Sequence, residues 1–214
     1  LFEKHFLVCF SRKKVVFLKK FFKMIHIAVF ASGSGTNCEN LIRYFQQSEN
    51  ISVSLVITQN PFAGVIEKAG NLQTDCYINM FSEPEDFEIL YQLLEDYHIS
   101  WIILAGFLKL IPKELVRRFP ERIVNIHPAL LPRYGGKGMY GMNVHRAVIN
   151  SGDSESGISI HYVNEKYDEG KIIAQFTCSV LPDDSPESLA ARIHELEYQH
   201  FPPVVEKVII GDET

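Results

Sequence analysis

The stretch Ile25-His26-Ile27-Ala28-Val29-Phe30-Ala31-Ser32-Gly33-Ser34-Gly35-Thr36-Asn37 decides the fold. Its first seven residues form a short apolar run rich in β-branched side chains, the pattern of a buried strand. A glycine-rich turn follows, and then a helical stretch from about Asn37 to Gln47. Strand, tight turn and helix in this order open a parallel α/β sheet. Free N–H groups at the start of such a helix, with the helix dipole behind them, suit a phosphate. The glycines permit close approach and positive φ. No lysine follows Gly35, so the turn is not a nucleotide-triphosphate P-loop. A dinucleotide fingerprint needs a small third residue and an acid ending the second strand. Asn37 stands at the first place and Thr58-Gln59-Asn60 at the second. A single phosphomonoester fits better, with Thr36 and Asn37 as added donors; a tight turn without a ligand is the alternative.

Outward from this unit the alternation continues. Ile51–Thr58 reads as a second strand closed by the turn Asn60-Pro61, Ala63–Asn71 as a short helix, and Cys76–Met80 as a third strand. Pro84 suits the first position of a helix over Glu85–Tyr97, where Phe87, Leu90, Leu93 and Leu94 recur at helical spacing. Trp101–Ala105 and Ile123–Ile126 read as two more short buried strands. The later part differs: Gly157–Val163 and Lys171–Val180 are two longer strands joined by Asn164–Gly170, and Ser185–Lys207 is a long helix interrupted at Pro202 and Pro203. The pattern predicts an α/β fold, a doubly wound (Rossmann-like), mostly parallel sheet with a C-terminal pair of longer strands and a long terminal helix. Ligands in such sheets bind at the carboxyl ends of the strands. Those ends carry Ser32–Asn37, Gly106–Ile111 and Asn125–His127.

The 214 residues suffice for one substantial α/β domain or two small ones, and 46% hydrophobic with 22% charged residues excludes a collagen-like or wholly disordered chain. Charge is uneven. Residues 1–23 hold seven Lys or Arg and one acid, leaving 14 basic and 25 acidic residues from Met24 onward, a formal net of −11. So acidic a domain is a poor general partner for nucleic acid. A phosphorylated ligand must therefore be held by local dipoles. The leader, Leu1 to Lys23, is apolar runs broken by lysines, too short for a membrane span and without a clear cleavage site. It reads as a non-domain leader, appended or from an over-extended reading frame, with a basic amphipathic helix as the alternative. The domain is expected over 24–210. Cys9, Cys38, Cys76 and Cys178 form no CxxC pair, which argues for reduced thiols and a cytoplasmic location.

Asn125-Ile126-His127-Pro128 closes the fifth apolar strand. Residues two apart on an extended backbone project to one side, so Asn125 and His127 can face one space while Ile126 enters the core. An Asn amide can donate to a developing oxyanion, and an imidazole can stabilise that charge or move a proton. Asp168, in Tyr167-Asp168-Glu169-Gly170 between the later strands, is the carboxylate that could orient such a histidine and raise its pKa. Spacing alone does not bring it to His127, and a lone histidine at a strand end is as readily a packing residue.

With these motifs in place the chain resembles the phosphoribosylglycinamide formyltransferase family, folate-dependent enzymes of purine biosynthesis, from Met24 to about Val208. The resemblance rests on Ser32-Gly33-Ser34-Gly35-Thr36-Asn37, Leu104-Ala105-Gly106-Phe107, Asn125-Ile126-His127-Pro128-Ala129-Leu130-Leu131-Pro132, Gly157-Ile158-Ser159-Ile160-His161 and Asp168-Glu169-Gly170. It implies transfer of the formyl group of 10-formyltetrahydrofolate, a co-substrate, to the amine of glycinamide ribonucleotide, with no metal. It further implies that His127 donates a proton and stabilises the oxyanion, that Asn125 donates to the formyl oxygen, and that Asp168 keeps His127 protonated. Gly35, Thr36 and Asn37 match the phosphate-holding positions, and His194 and Glu197 match the ribonucleotide side. Leu108, Lys109, Leu110 and Ile111, together with Asn125, Asn164, Glu165, Lys166, Tyr167 and Asp168, match the segments around the pterin. The partners implied are small molecules, with no nucleic acid and no membrane, for a monomer or homodimer.

Three places depart from the family pattern. Arg133 to His145 is longer and has Asn143 where a histidine is common, so it reads either as a lid with Lys137 as an added cation or as a plain surface loop. No arginine for folate stands among Phe81–Phe87. Lys109 replaces a common arginine, keeping the charge and losing the planar fork. Competing readings are a methionyl-tRNA formyltransferase, which needs a further RNA-binding domain, and a formyltetrahydrofolate hydrolase, which needs a regulatory one. A dinucleotide oxidoreductase lacks its acid. A non-catalytic folate binder would have lost Asn125, His127 or Asp168.

Overall fold

The computed structural model describes residues 8–11, 14–17 and 24–212. Its core is a seven-stranded sheet with strand order β5-β4-β3-β6-β7-β8-β9. The parallel part comprises β3 (Ile25–Phe30), β4 (Ile51–Thr58), β5 (Cys76–Ile78), β6 (Ile99–Leu104) and β7 (Ile123–His127). Two longer strands, β8 (Glu155–Tyr162) and β9 (Ile172–Ser179), continue it antiparallel. The chain winds outward from β3 in one direction and resumes at β6 on its other side, so the turns after β3 and β6 part at a topological switch point.

Side-chain alternation builds a core on each face. From β3, Ile27 and Val29 enter one apolar cluster and Ala28 and Phe30 the other; from β6, Trp101 and Ile103 divide from Ile102 and Leu104 in the same way. The first cluster is covered by α1 (Thr36–Phe45), α2 (Gly64–Asn71), α5 (Met142–Ser151) and α6 (Pro186–Asp212), and the second by α3 (Pro84–Asp96) and α4 (Lys113–Arg118). Pro84 is the first residue of α3 and Glu83 and Asp86 form a capping box, matching the expected start.

Three features differ from the sequence reading. The helices α4 and α5 were not anticipated. The first is only six residues long, and the second lies behind a glycine-rich loop that hides its Val144/Val148 spacing. The prolines do not interrupt α6, which runs through Pro202 and Pro203. Pro202 lacks the N–H that would bond the Tyr198 carbonyl, and Asn40 of α1 donates to that carbonyl instead at 2.9 Å. Phe201, Val205 and Ile209 meanwhile stay buried in the core. In the leader, β1 (Val8–Ser11) and β2 (Lys14–Phe17) pair antiparallel as a separate two-stranded sheet, in place of a helix there. The rest of the leader lies outside the described residues.

Candidate active site

A cavity of about 580 Å³ opens at the switch point. One wall is the turn between β3 and α1. Gly35 has φ +75° and no side chain caps the helix start, so the first N–H groups of α1 are not claimed by a cap. A Cβ on Gly35 would stand 2.6 Å from the backbone Cα of Val65, so α2 packs against the turn at a distance only glycine allows. Beside the turn, Asn37 donates to Glu197 at 2.8 Å and Glu197 also meets His194 Nδ1 at 2.9 Å. That bond to Glu197 raises the His194 pKa against the opposing effect of burial. Asn37 Oδ1 and His145 Nδ1 are buried without partners, and both residues line the cavity. Burial lowers the His145 pKa despite the nearby Glu197.

A second part of the lining comes from the end of β7, which pairs with β8, and from the turn beyond β8. Antiparallel register sets Asn125 across from His161 and His127 across from Ser159. His161 Nδ1 donates to the Tyr162 carbonyl at 2.9 Å, so its Nε2 is left as an acceptor for the Asn125 amide at 3.0 Å. That orients the Asn125 NH2 and leaves its second N–H for another acceptor. His127 is 4% exposed. Its Nε2 donates to the Tyr134 carbonyl at 2.8 Å, and its Nδ1 lies 3.6 Å from Asp168. Ser159 fixes the segment after His127 by donating to Ala129 O (2.6 Å) and accepting from Leu131 N (2.9 Å).

Asp168 stands at φ +54° in the β8–β9 connection, where Gly170 is obligatory because a Cβ there would lie 1.7 Å from the Tyr162 carbonyl oxygen. Burial pushes the Asp168 carboxyl up, but His161 (Nε2 at 3.7 Å) and His127 (Nδ1 at 3.6 Å), when their rings are protonated, together with the Gly136 N–H at 2.9 Å, hold it below the usual range. For His127, burial is the largest influence and pushes the pKa down. Asp168 and the Tyr134 carbonyl push it up without restoring it. Asp168 therefore offsets part of the burial penalty on the charged His127 ring.

The structure thus brings Asn125, His127 and Asp168 together with Gly35, Thr36, Asn37, His194 and Glu197 around one cavity. Of the segments expected near a pterin, Leu108, Tyr167 and Asp168 line it as well. Lys109 instead bonds the Met80 carbonyl, and Ile111 is buried in the second cluster. Leu110 is exposed, Asn164 accepts from Lys166 N, Glu165 pairs with Lys113, and Lys166 pairs with Glu169; none of these lines the cavity. The long loop after Pro132 forms part of the wall, with Gly136 to Gly141 lining it and Lys137 exposed there. Sequence reasoning assigned no role to His161, His145 or Tyr134. The period-two motif Ser159-Ile160-His161 carried a signal for the first, readable only once its pairing with β7 is known.

The chain is similar to known formyl transferases. The family model described as formyl transferase matches residues 25–205. A chloroplastic phosphoribosylglycinamide formyltransferase of Arabidopsis thaliana is 42% identical over 185 residues, covering 84% of this chain and 63% of the relative. The chain thus spans less than two thirds of that plant relative. The phosphoribosylglycinamide formyltransferase of Bacillus subtilis is 33% identical, covering 87% of this chain and 95% of the relative. The crystal structure of phosphoribosylglycinamide formyltransferase from Bacillus halodurans superposes with a TM-score of 0.78 at 33% identity, covering 86% of this chain and 95% of that one. With the matched span running from the first strand of the sheet into its last helix, the chain belongs to the formyl transferase family.

Proposed function

We propose that this protein transfers the formyl group of 10-formyltetrahydrofolate to the amine of glycinamide ribonucleotide, giving formylglycinamide ribonucleotide and tetrahydrofolate in purine biosynthesis. The observation that carries the reading is one cavity walled by an uncapped helix start at Gly35–Asn37 and by Asn125, His127 and Asp168. A phosphate on the first wall sets an attached amine toward the second. Two buried unpartnered atoms, Asn37 Oδ1 and His145 Nδ1, are consistent with a polar ligand on the ribonucleotide side. The volume is in the range of small-molecule sites.

The chemistry balances with these residues alone. The amine nitrogen bonds to the formyl carbon, the carbon's bond to the folate nitrogen breaks, and one proton passes from the amine to that nitrogen. The free N–H of Asn125 stabilises the oxyanion that forms between these events. His127 and Asp168 carry the proton. Positioning and charge stabilisation supply the acceleration, and the proposed step requires no covalent enzyme intermediate. The folate contacts expected of Leu108, Tyr167 and Asp168 are supported by their place in the cavity wall.

Among the described residues no helix is long and apolar enough to cross a membrane. We place the activity in the cytoplasm, on a monomer or homodimer. The deciding experiment is an assay of purified protein with both substrates, following folate deformylation. Deformylation that requires the amine supports transfer; deformylation without it supports a hydrolase.

A further inference from the structure

Two acceptors compete for the single proton of a neutral His127 ring. Asp168 lies 3.6 Å from Nδ1 and the Tyr134 carbonyl 2.8 Å from Nε2. A carboxylate alone would select the Nδ1–H tautomer. A carbonyl carries no proton, so the shorter contact requires the proton on Nε2.

The Tyr134 carbonyl is in turn held by its own side chain. Tyr134 has φ +56°, a left-handed conformation that a tyrosine rarely adopts. Its phenol donates to Asp153 and lies 2.6 Å from Ser151 Oγ. Arg133 Nη2 contacts both Asp153 oxygens at 2.6 and 2.8 Å and donates to the Tyr134 phenol oxygen at 3.1 Å, and its guanidinium sits 5.2 Å from the Tyr134 ring centroid. The backbone strain persists because these anchors outside the cavity over-determine the residue.

We propose that Tyr134 is a positioning residue for His127: its phenol, anchored on Asp153, holds a backbone carbonyl that keeps Nε2 protonated and makes Nδ1, facing Asp168, the atom at which His127 gains and loses its proton. The charged ring then has a partner on each nitrogen, the carbonyl on Nε2 and Asp168 on Nδ1. The inference rests on His127 being the proton carrier of the proposed transfer. Besides Asp168, His127 feels the charges of His161 from β8 and Glu197 from α6.

Nitrogen-15 NMR of the full chain, labelled at histidine, reads the tautomer without turnover. The wild-type His127 ring is expected as the Nε2–H form above its titration midpoint. Tyr134→Phe and, separately, Asp153→Asn should shift it toward Nδ1–H and lower kcat by roughly 10-fold, with both KM values nearly unchanged. Melting curves verify that each variant is folded. An Nδ1–H ring in the wild type overturns the proposal. So does a folded Tyr134→Phe variant with unaltered tautomer and kcat. Absence of formyl transfer by the wild type would count against the reaction assigned above and not against the tautomer.

Discussion

Asp168 Oδ1 lies 3.6 Å from His127 Nδ1 while its other oxygen accepts the Gly136 N–H at 2.9 Å, so one carboxylate ties the end of β7 to the loop that walls the cavity. Because Asp168 raises the His127 pKa against burial, removing its charge must lower that pKa further. His127 in wild type should titrate below the usual imidazole range, and in Asp168→Asn lower still. An NMR titration that moves upward in the variant would refute the assigned contact.

The same pair carries the proton in the proposed reaction. His127→Ala and Asp168→Asn should each reduce kcat by about 100- to 10,000-fold with the fold retained. Steady-state kinetics beside circular dichroism checks this. Turnover near the wild-type level in either variant contradicts the roles given to them.

Thr36 is the first residue of α1, and its backbone belongs to the uncapped start at the proposed phosphate wall. Thr36→Asp places a negative charge there and should raise KM for the ribonucleotide at least about tenfold, by like-charge repulsion. The KM for folate should hardly move. Equal effects on both substrates would put the phosphate elsewhere.

Asp184 accepts from Arg192 at 2.7 and 3.0 Å, from Ser188, and from the Leu181 N–H, which hold its carboxyl well below the usual range. A depressed carboxyl stabilises the fold above its unfolded pKa of about 3.9 and loses that contribution as pH falls toward its folded value. Asp184→Asn should therefore lower Tm at pH 7, with the difference shrinking below roughly pH 4. Melting curves across pH decide it; a constant difference would mean that the bonds and not the charge matter.

Residues 1–23 precede β3, and among the described residues those lining the cavity begin at Gly33. We propose that they lie outside the catalytic domain, so a chain beginning at Met24 should keep kcat and both KM values within about twofold, less than 0.5 kcal/mol in transition-state terms. A large loss would assign the leader to the enzyme.

The sequence by itself determined the α/β class, the parallel strands and the glycine turn, because short buried strands and amphipathic helices leave local periodicities of two and 3.6 residues. It also placed Asn125 and His127 on one side of a strand end, since that relation spans only two residues. It could not determine that α6 passes through Pro202 and Pro203, because the partner that makes this tolerable, Asn40, is 158 residues distant from Tyr198. Nor could it show that His161 orients Asn125 or that Tyr134 and Asp168 hold opposite nitrogens of His127. Those contacts depend on strand register and on loop backbone in the left-handed region, which many sequences satisfy and only the folded chain selects. The direction of the His127 shift was decided by tertiary structure for the same reason: a neighbouring charge can be guessed from a motif, but the burial that outweighs it exists only after the sheet and helices have closed around the ring.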